Sequence, residues 1–397
     1  MYTLLLVIIY IAFVSLGLPD SVLGAAWPSM HQTLQVPEGY AGLITLLIYT
    51  GTTISSMATG WLNQRLGTGK VILFSVMLTA ITMYGFSISD HFLQLCAWAL
   101  PYGLGGGCID ATLNNYVVLH YKPRHTSFLH CFWGLGTIIS PLIMGAFLER
   151  GGMWMQGYQA IAIFQMVLTG ILFLSLPLWK KTEEAETVTE HEAETETLPL
   201  MALFRTRGVK ASVAAFFCYT SIETSIGLWA SSFLIDARGI DIVTATRCSM
   251  LFFIGIMSGR IISGFISERF GDLPLIRWGI ILSAVSSVLL LLPSGSSLLP
   301  FSALILMGVG CGPIFPCMIH HSPCLVGTAN SQTLIGMQLA AASAGSILMP
   351  ALFGVIVQHL HIGFLPLYAL LFSFLLMECL RRLPVCHTPN HQASESM

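Results

Sequence analysis

The sequence predicts an all-α integral membrane protein, with twelve transmembrane helices in two pseudo-symmetric six-helix bundles. Of its 397 residues, 55% are hydrophobic and only 9% are charged, whereas a soluble protein carries about 25% charged residues. Apolar stretches of ~20 residues, the length that crosses a bilayer as a helix, follow one another along the chain. Glycine motifs of the first half recur in the second half at a nearly constant spacing, which indicates an internal repeat.

The twelve predicted helices are separated by short polar or glycine-containing loops. They cover residues 3–30, 39–62, 70–89, 92–119, 127–149, 156–178, 209–235, 242–266, 274–292, 298–320, 328–357 and 363–382. We expect the first helix to break at Pro19, because proline lacks the N–H group that an internal helical hydrogen bond needs.

One long polar stretch interrupts the series, between the sixth and seventh predicted helices. It holds seven glutamates between Glu183 and Glu196, a composition typical of a solvated linker. We therefore divide the chain into an N-terminal six-helix bundle (1–179), an acidic cytoplasmic linker (180–208), a C-terminal six-helix bundle (209–383) and a cytoplasmic tail (384–397).

Positive charge is unevenly shared between the loops, and this predicts the orientation. If the N-terminus is cytoplasmic, 13 of the 17 Lys and Arg residues lie at cytoplasmic helix ends and 3 lie outside. Arg260 lies inside the eighth helix, where we expect it to pair locally as a structural residue. Since Lys and Arg are enriched in cytoplasmic loops, we predict a multi-pass plasma-membrane protein with both termini in the cytoplasm. A short tail and no cleavable signal pattern favour a bacterial inner membrane.

Several classes of function do not fit the sequence. A net charge of −2 argues against nucleic-acid binding. No GxxxxGK[ST] loop is present, which argues against ATP drive. No catalytic constellation stands in a water-exposed segment, so we predict that the protein is not an enzyme and uses neither a cofactor nor a metal. The ten cysteines include no CxxC pair and are predicted to be packing residues rather than disulfides or ligands.

Two glycine motifs recur in the two halves. The first ends the second and eighth helices, 204 residues apart, and its residues are Gly60, Arg65 and Gly67 in one copy and Gly264, Glu268, Arg269 and Gly271 in the other. The second motif is a triplet within the fourth and tenth helices, 205 residues apart: Gly103, Gly105 and Gly107, then Gly308, Gly310 and Gly312. Two such motifs in order at nearly one offset predict a parallel repeat about an axis along the membrane normal.

This pattern resembles the major facilitator superfamily over essentially the whole chain. That family's helix 2–3 signature, G-x-x-x-D-R-x-G-R-K/R, is matched approximately by Gly60, Arg65, Gly67 and Lys70. Gln64 stands where the family has an acid, whereas the second copy keeps Glu268 beside Arg269. The resemblance implies a transporter whose halves alternate access, with the charged lock of this loop carried by the second copy.

Within the superfamily, the chain is similar to the fucose:proton symporter type, which has an acid midway along helix 1 and another in helix 4. Asp20 and Asp110 occupy the matching helices. His130 and Trp133, near the start of the fifth helix, stand where that type has further sugar contacts. The resemblance implies that Asp20 and Asp110 handle the coupled proton and the sugar.

Three acids lie well inside predicted helices: Asp20, Asp110 and Glu223. An ionised carboxylate at membrane depth costs about 2.5–3.5 kcal/mol on insertion scales, so each should face a partner or a water-filled cavity. Asp20 and Glu223 are 203 residues apart, which places one acid in each half near the midplane. We predict proton coupling through Asp20 and Asp110, then Glu223, with His130 as a relay. Sodium coupling, or a purely structural clamp between helices, is the alternative.

Amides and aromatic rings near these acids are predicted to bind a hydroxylated solute. Asn114 follows Asp110 by four residues and therefore shares its helix face. The predicted substrate-binding residues are Asn114, Asn115, Trp133, Gln338, Tyr219, Tyr49 and Trp229. The alternative for each of them is a role in packing between helices, without contact to a substrate.

The sequence thus predicts a secondary active transporter of a small polar solute, with a sugar or glycoside as the leading substrate class. Its expected partners are that solute and the lipid bilayer, and we expect a monomer. A proton-coupled exporter of amphipathic compounds is one alternative, because the 18 Met and 23 Phe residues can line a large apolar cavity. A non-transporting membrane sensor on the same fold is the other.

Overall fold

The computed structural model describes residues 2–121, 123–186, 200–293 and 296–384. Within these ranges the chain is almost entirely helical and contains no strand, which confirms the all-α prediction. The helices of the first half are α1 (Tyr2–Leu34), α2 (Ala41–Leu66), α3 (Thr68–Ser87), α4 (Phe92–His120), α5 (Pro123–Glu149) and α6 (Trp154–Glu186).

The second half repeats this arrangement with more interruptions. Its helices are α7 (Leu200–Arg205), α8 (Val209–Ser232), α9 (Ile242–Cys248), α10 (Met250–Phe270), α11 (Asp272–Leu291), α12 (Leu298–Cys311), α13 (Ile314–Val326), α14 (Thr328–His359) and α15 (Leu365–Arg381). The eighth predicted helix is therefore built from α9 and α10, and the tenth from α12 and α13. Part of the predicted linker is helical, in α6 and α7; residues 187–199 of the linker and 385–397 of the tail lie outside the described residues.

Eleven helical segments of the described chain are long and apolar enough to cross a membrane. The seventh predicted span is not among them. It corresponds to α8, which is long enough to cross a membrane but carries Glu223 and a series of hydroxyl side chains. Most of its residues are buried in the protein. A helix that packs inside the bundle needs less hydropathy than one that faces lipid, which explains the exception.

The prediction that the first helix breaks at Pro19 is wrong, because α1 runs without interruption through it. Proline at position 19 leaves the carbonyl oxygen of Ser15 without its helical donor. The Gln165 side chain of α6 supplies a replacement, since its Nε2 donates to the Ser15 oxygen at 2.9 Å. A neighbouring helix thus satisfies the group that the proline frees.

The repeat is visible in how α4 and α12 pack. A Cβ atom on Gly103 would lie 2.0 Å from the Ile48 carbonyl oxygen of α2, and one on Gly308 would lie 2.0 Å from the Phe252 carbonyl oxygen of α10. The middle glycine of each triplet instead faces α3 or α11. Both helices therefore make backbone contact with two neighbours in the same order, which only residues without a side chain allow.

We expect Gly103→Ala to destabilise the protein, because the added methyl group overlaps a backbone oxygen that cannot move aside. Overpacking of this kind costs about 1–3 kcal/mol. Gly264→Ala is the matched control, since its Cβ meets nothing within 4 Å. Thermal unfolding in detergent should show a lower Tm for Gly103→Ala alone. Equal Tm values for the two variants would contradict the close contact between α2 and α4.

The two halves are in close contact at one face of the bundle. We call the side on which α1 and α8 begin the terminus face. At the opposite face, a Cβ on Gly24 would lie 2.5 Å from the Gly227 oxygen, and one on Gly42 would lie 2.6 Å from the Ala351 Cα. At three glycines nearer the terminus face, an added Cβ atom would meet nothing within 4 Å: Gly60, Gly264 and Gly336. The two halves are therefore in backbone contact at the face opposite the termini, and we call the space between them on the terminus side of this contact the cleft.

Candidate functional site

The Asp20 carboxylate marks the middle of the cleft. Asp20 is exposed, although residues 15–19 and 21–28 on either side of it in α1 are buried. The Tyr102 hydroxyl donates to its Oδ1 at 3.0 Å, and the Trp133 indole N–H donates to its Oδ2 at 2.8 Å. Both oxygens are therefore held by uncharged donors of the first half while the group keeps access to solvent.

Glycines bring Asp20 and Trp133 within reach of each other. A Cβ on Gly17 of α1 would lie 2.1 Å from the Trp133 carbonyl oxygen, and one on Gly136 of α5 would lie 2.2 Å from the Val14 carbonyl oxygen. The two helices thus touch through their backbones. At this separation a side chain of α5 can span the contact and bond a side chain of α1.

An ion pair in the second half lies across the cleft from Asp20. The Arg260 Nη2 atom is 3.3 Å from Glu223 Oε1, and both side chains are less than one-fifth exposed. The Arg260 guanidinium also lies over the Trp133 ring, 5.5 Å from its centroid. The prediction that Arg260 is only a local structural residue is therefore incomplete, because it contacts both halves.

These contacts join two acids at related positions of the repeat. Asp20 bonds Trp133, the Trp133 ring contacts Arg260, and Arg260 pairs with Glu223. The connected residues come from α1, α5, α10 and α8 in turn. We call this set the cleft chain. The sequence could have indicated that Arg260 pairs with an acid, since a cation inside an apolar helix needs a partner at the same depth.

Asp110 and Asn114 form a second polar group on α4. The Asn114 Nδ2 donates to Asp110 Oδ1 at 2.9 Å, as the four-residue spacing predicts. Asp110 and Asn115 are exposed. Asp110 also lies close enough to Asp20 for the two charges to interact. The two acids of the first half therefore belong to one site.

Two of the predicted tyrosines border this site. Tyr49 of α2 lies within electrostatic range of both Asp20 and Glu223. Tyr219 of α8 is fully buried and lies near Glu223 and Arg260. Tyr102, which bonds Asp20 directly, was missed, because a tyrosine in an apolar helix carries no pattern that separates this role from packing.

The structure places three other predicted residues in packing positions. Trp229 is fully buried, and its indole N–H donates to the Pro350 oxygen at 3.3 Å. Gln338 is fully buried between Ser212 and Ser322, which bond its amide at 2.6 and 3.0 Å. Neither side chain reaches the open cleft in this conformation.

The third is His130, the predicted proton relay. Its ring packs edge-on against Phe13, with the ring centroids 6.1 Å apart. In the described chain no hydrogen bond joins His130 to Asp110. A relay between them would need a different conformation or an intervening water.

The last glycine of the loop motif has the same backbone conformation in both halves. Gly67 and Gly271 adopt φ values of +82° and +77°, a region that favours glycine, and each directly precedes a helix. Arg65 and Arg269 each lie over an aromatic ring of their own helix, Trp61 and Phe270 respectively. Neither arginine pairs with an acid of the described chain, and the Glu268 side chain lies outside the described residues.

Among the described residues, no group of three or more His, Cys, Asp or Glu side chains is arranged to hold a metal ion. Eight cysteines are free. Cys324 is disulfide-bonded, which contradicts the prediction that the cysteines serve in packing alone.

Two matching helical halves, with a charged cleft inside an apolar bundle, define a membrane transporter. The chain belongs to the Major Facilitator Superfamily, whose family profile matches residues 9–350. The resemblance read from the loop and helix motifs is thereby confirmed at the level of the superfamily.

Relatives with similar sequences cover most of the chain at low identity. A hexuronate transporter of Bacillus subtilis is 22% identical, over 88% of this chain and 87% of its own length. A glucose/mannose transporter of the same organism is 21% identical, over 87% and 86%. Bypass of stop codon protein 6 of Saccharomyces cerevisiae is 22% identical, over 90% of this chain and 78% of its own.

The fold is also similar to that of a solved transporter. A bacterial homologue of the human lysosomal transporter Spinster, in an inward-facing and occupied conformation, superposes with a TM-score of 0.72. The alignment covers 96% of this chain and 95% of the other, at 12% sequence identity. At this identity the likeness concerns the fold alone.

Proposed function

We propose that the protein is a proton-coupled secondary transporter of a sugar or similar hydroxylated solute, which it moves by alternating access of its two halves. The observation that carries this proposal is the Asp20 carboxylate, exposed in the cleft and held by Tyr102 and Trp133. A carboxyl group there can bind a proton from one side of the membrane and release it when the cleft opens to the other.

The choice of proton carrier follows from the partners of each acid. Asp20 and Asp110 receive hydrogen bonds from uncharged donors, so protonation breaks no ion pair. Glu223 is paired with Arg260, and its protonation would leave a buried cation without its counter-charge. Asp20 and Asp110 are therefore the better carriers, and Glu223 serves to hold Arg260.

The charge balance of the cleft supports a neutral solute. Its described polar lining includes three acids and one arginine, and that arginine is already paired with Glu223. An anionic sugar would meet uncompensated negative charge, which is unfavourable in a partly desolvated site. A neutral sugar that enters together with a proton meets no such penalty. Of the two bacterial relatives named above, the glucose/mannose transporter is therefore the closer guide to the substrate.

Proton flux into proteoliposomes tests this function directly. The purified protein is reconstituted around the pH-sensitive dye pyranine, and neutral hexoses and hexuronates are added outside in turn. We expect internal acidification with a neutral sugar and none with a hexuronate. Sugar uptake that requires sodium, efflux of a lipophilic cation driven by an imposed pH gradient, or no flux at all would each overturn the proposal, in favour of sodium coupling, an exporter or a sensor.

A further inference from the structure

The outer surface of the first half carries a groove between α3 and α6, neither of which contributes to the cleft chain. Its volume is about 460 Å³. Its wall is apolar except at one end and includes Lys70, Phe74 and Met77 of α3 and Gly170, Phe173 and Leu176 of α6. No function described above uses this groove.

The groove is long enough to hold part of a lipid acyl chain. Lys70 and Met77 mark its ends on α3, and a helix rises 1.5 Å per residue, so it runs for about 10 Å along the helix axis. The one hydroxyl in its wall, on Thr169, donates to the Gln165 oxygen of its own helix at 2.8 Å. The deep part of the groove therefore presents only apolar surface to an occupant.

Positive charge is gathered at the other end, near the terminus face. Lys70 lies in the first turn of α3, is exposed and forms no ion pair with a described residue. The positive end of the α3 dipole points to the same place, since that helix begins at Thr68. An occupant with an apolar chain and an anionic head matches both ends of the groove.

We propose that this groove binds one anionic phospholipid of the surrounding bilayer, with its phosphate at Lys70 and an acyl chain between Phe74 and Phe173. Gly170 supplies the space for that chain, because a Cβ atom there would meet nothing within 4 Å. A second copy of the protein suits the groove less well, since a stable protein interface needs about 800 Å² on each partner and a broad surface rather than a narrow slot.

Native mass spectrometry in detergent with equal phosphatidylglycerol and phosphatidylcholine tests the proposal. The wild type should retain one phosphatidylglycerol in preference to phosphatidylcholine. Lys70→Ala should reduce that preference about five-fold, the contribution typical of one lysine at a membrane surface. Gly170→Leu should fill the groove and lower retention of both lipids. Arg277→Ala is the matched control, because this exposed cation of α11 lies outside the groove.

Three results would overturn the site. Equal retention of the two lipids by the wild type would show that the groove does not select a head group. An unchanged preference in Lys70→Ala would remove the proposed phosphate contact. A dimer that is present in the wild type and lost in Gly170→Leu would assign the groove to a second copy of the chain. None of these outcomes depends on which solute the cleft carries.

Discussion

Replacing Asp20 with asparagine is expected to abolish solute accumulation driven by a proton gradient while leaving solute exchange intact. The amide oxygen can still accept from Trp133, and the Tyr102 hydroxyl can rotate to accept from the amide nitrogen, so the site keeps its shape. The amide cannot bind the coupled proton. One charge that crosses 100 mV is worth about 2.3 kcal/mol, or roughly 50-fold accumulation. We expect the variant to equilibrate the solute without accumulating it.

Two assays on the same proteoliposomes separate coupling from folding. Gradient-driven uptake should be lost in Asp20→Asn, whereas exchange of labelled for unlabelled solute should persist. Asp241→Asn is the matched control, because this acid caps α9 by accepting from the Thr244 N–H at 2.9 Å and asparagine caps a helix equally well. Full accumulation by Asp20→Asn would remove Asp20 from the coupling mechanism and leave Asp110 as the carrier.

Replacing Arg260 with glutamine is expected to cause the largest loss of stability among single changes in the cleft. Glu223 would keep its charge in a mostly buried position without a counter-ion. Removing one member of a buried ion pair costs about 3–5 kcal/mol of unfolding free energy. We expect a loss at the lower end of this range for Arg260→Gln, because both side chains of the pair retain some exposure. The double variant Arg260→Gln, Glu223→Gln leaves no charge behind, so it should recover most of the stability.

Thermal unfolding of the purified variants checks this expectation. Arg247→Gln provides the comparison, because Arg247 also pairs with an acid of another helix, Glu149, but both of these side chains are about one-third or more exposed. An exposed pair contributes about 0–1 kcal/mol, so its loss should change the Tm little. Two results would contradict this expectation: a Tm for Arg260→Gln that is no lower than that of Arg247→Gln, or a double variant with a lower Tm than Arg260→Gln alone. Either result would show that the Glu223 carboxylate does not need Arg260 as its counter-ion.

Much of the fold could be predicted because the bilayer restricts what a spanning segment can be. A stretch of ~20 apolar residues has to be a helix there, since no water is present to satisfy exposed backbone groups. Glycines recurring at a fixed offset indicate close helix contacts in both halves, and the matching surroundings of Gly103 and Gly308 agree with that interpretation. The prediction was wrong at Pro19, where Gln165, a residue distant in sequence, replaces the missing donor.

The acids of the cleft were also predictable, whereas the side chains that bond Asp20 were not. The cost of a charge in lipid singles out Asp20, Asp110 and Glu223 from the sequence alone. Tyr102 and Trp133 reach Asp20 from positions 82 and 113 residues away, and no local pattern reports such a contact.

Hydropathy, charge and glycine spacing act locally along each helix, and they were enough to identify a helical membrane protein with an internal repeat and acids at membrane depth. The pairing of Arg260 with Glu223, its contact with Trp133 and the burial of Trp229 and Gln338 between helices became clear from the packing of the helices. The physical reason is that a helix in this bundle presents side chains on every face. Which face meets the cleft, a neighbour or lipid depends on packing between segments far apart in the chain.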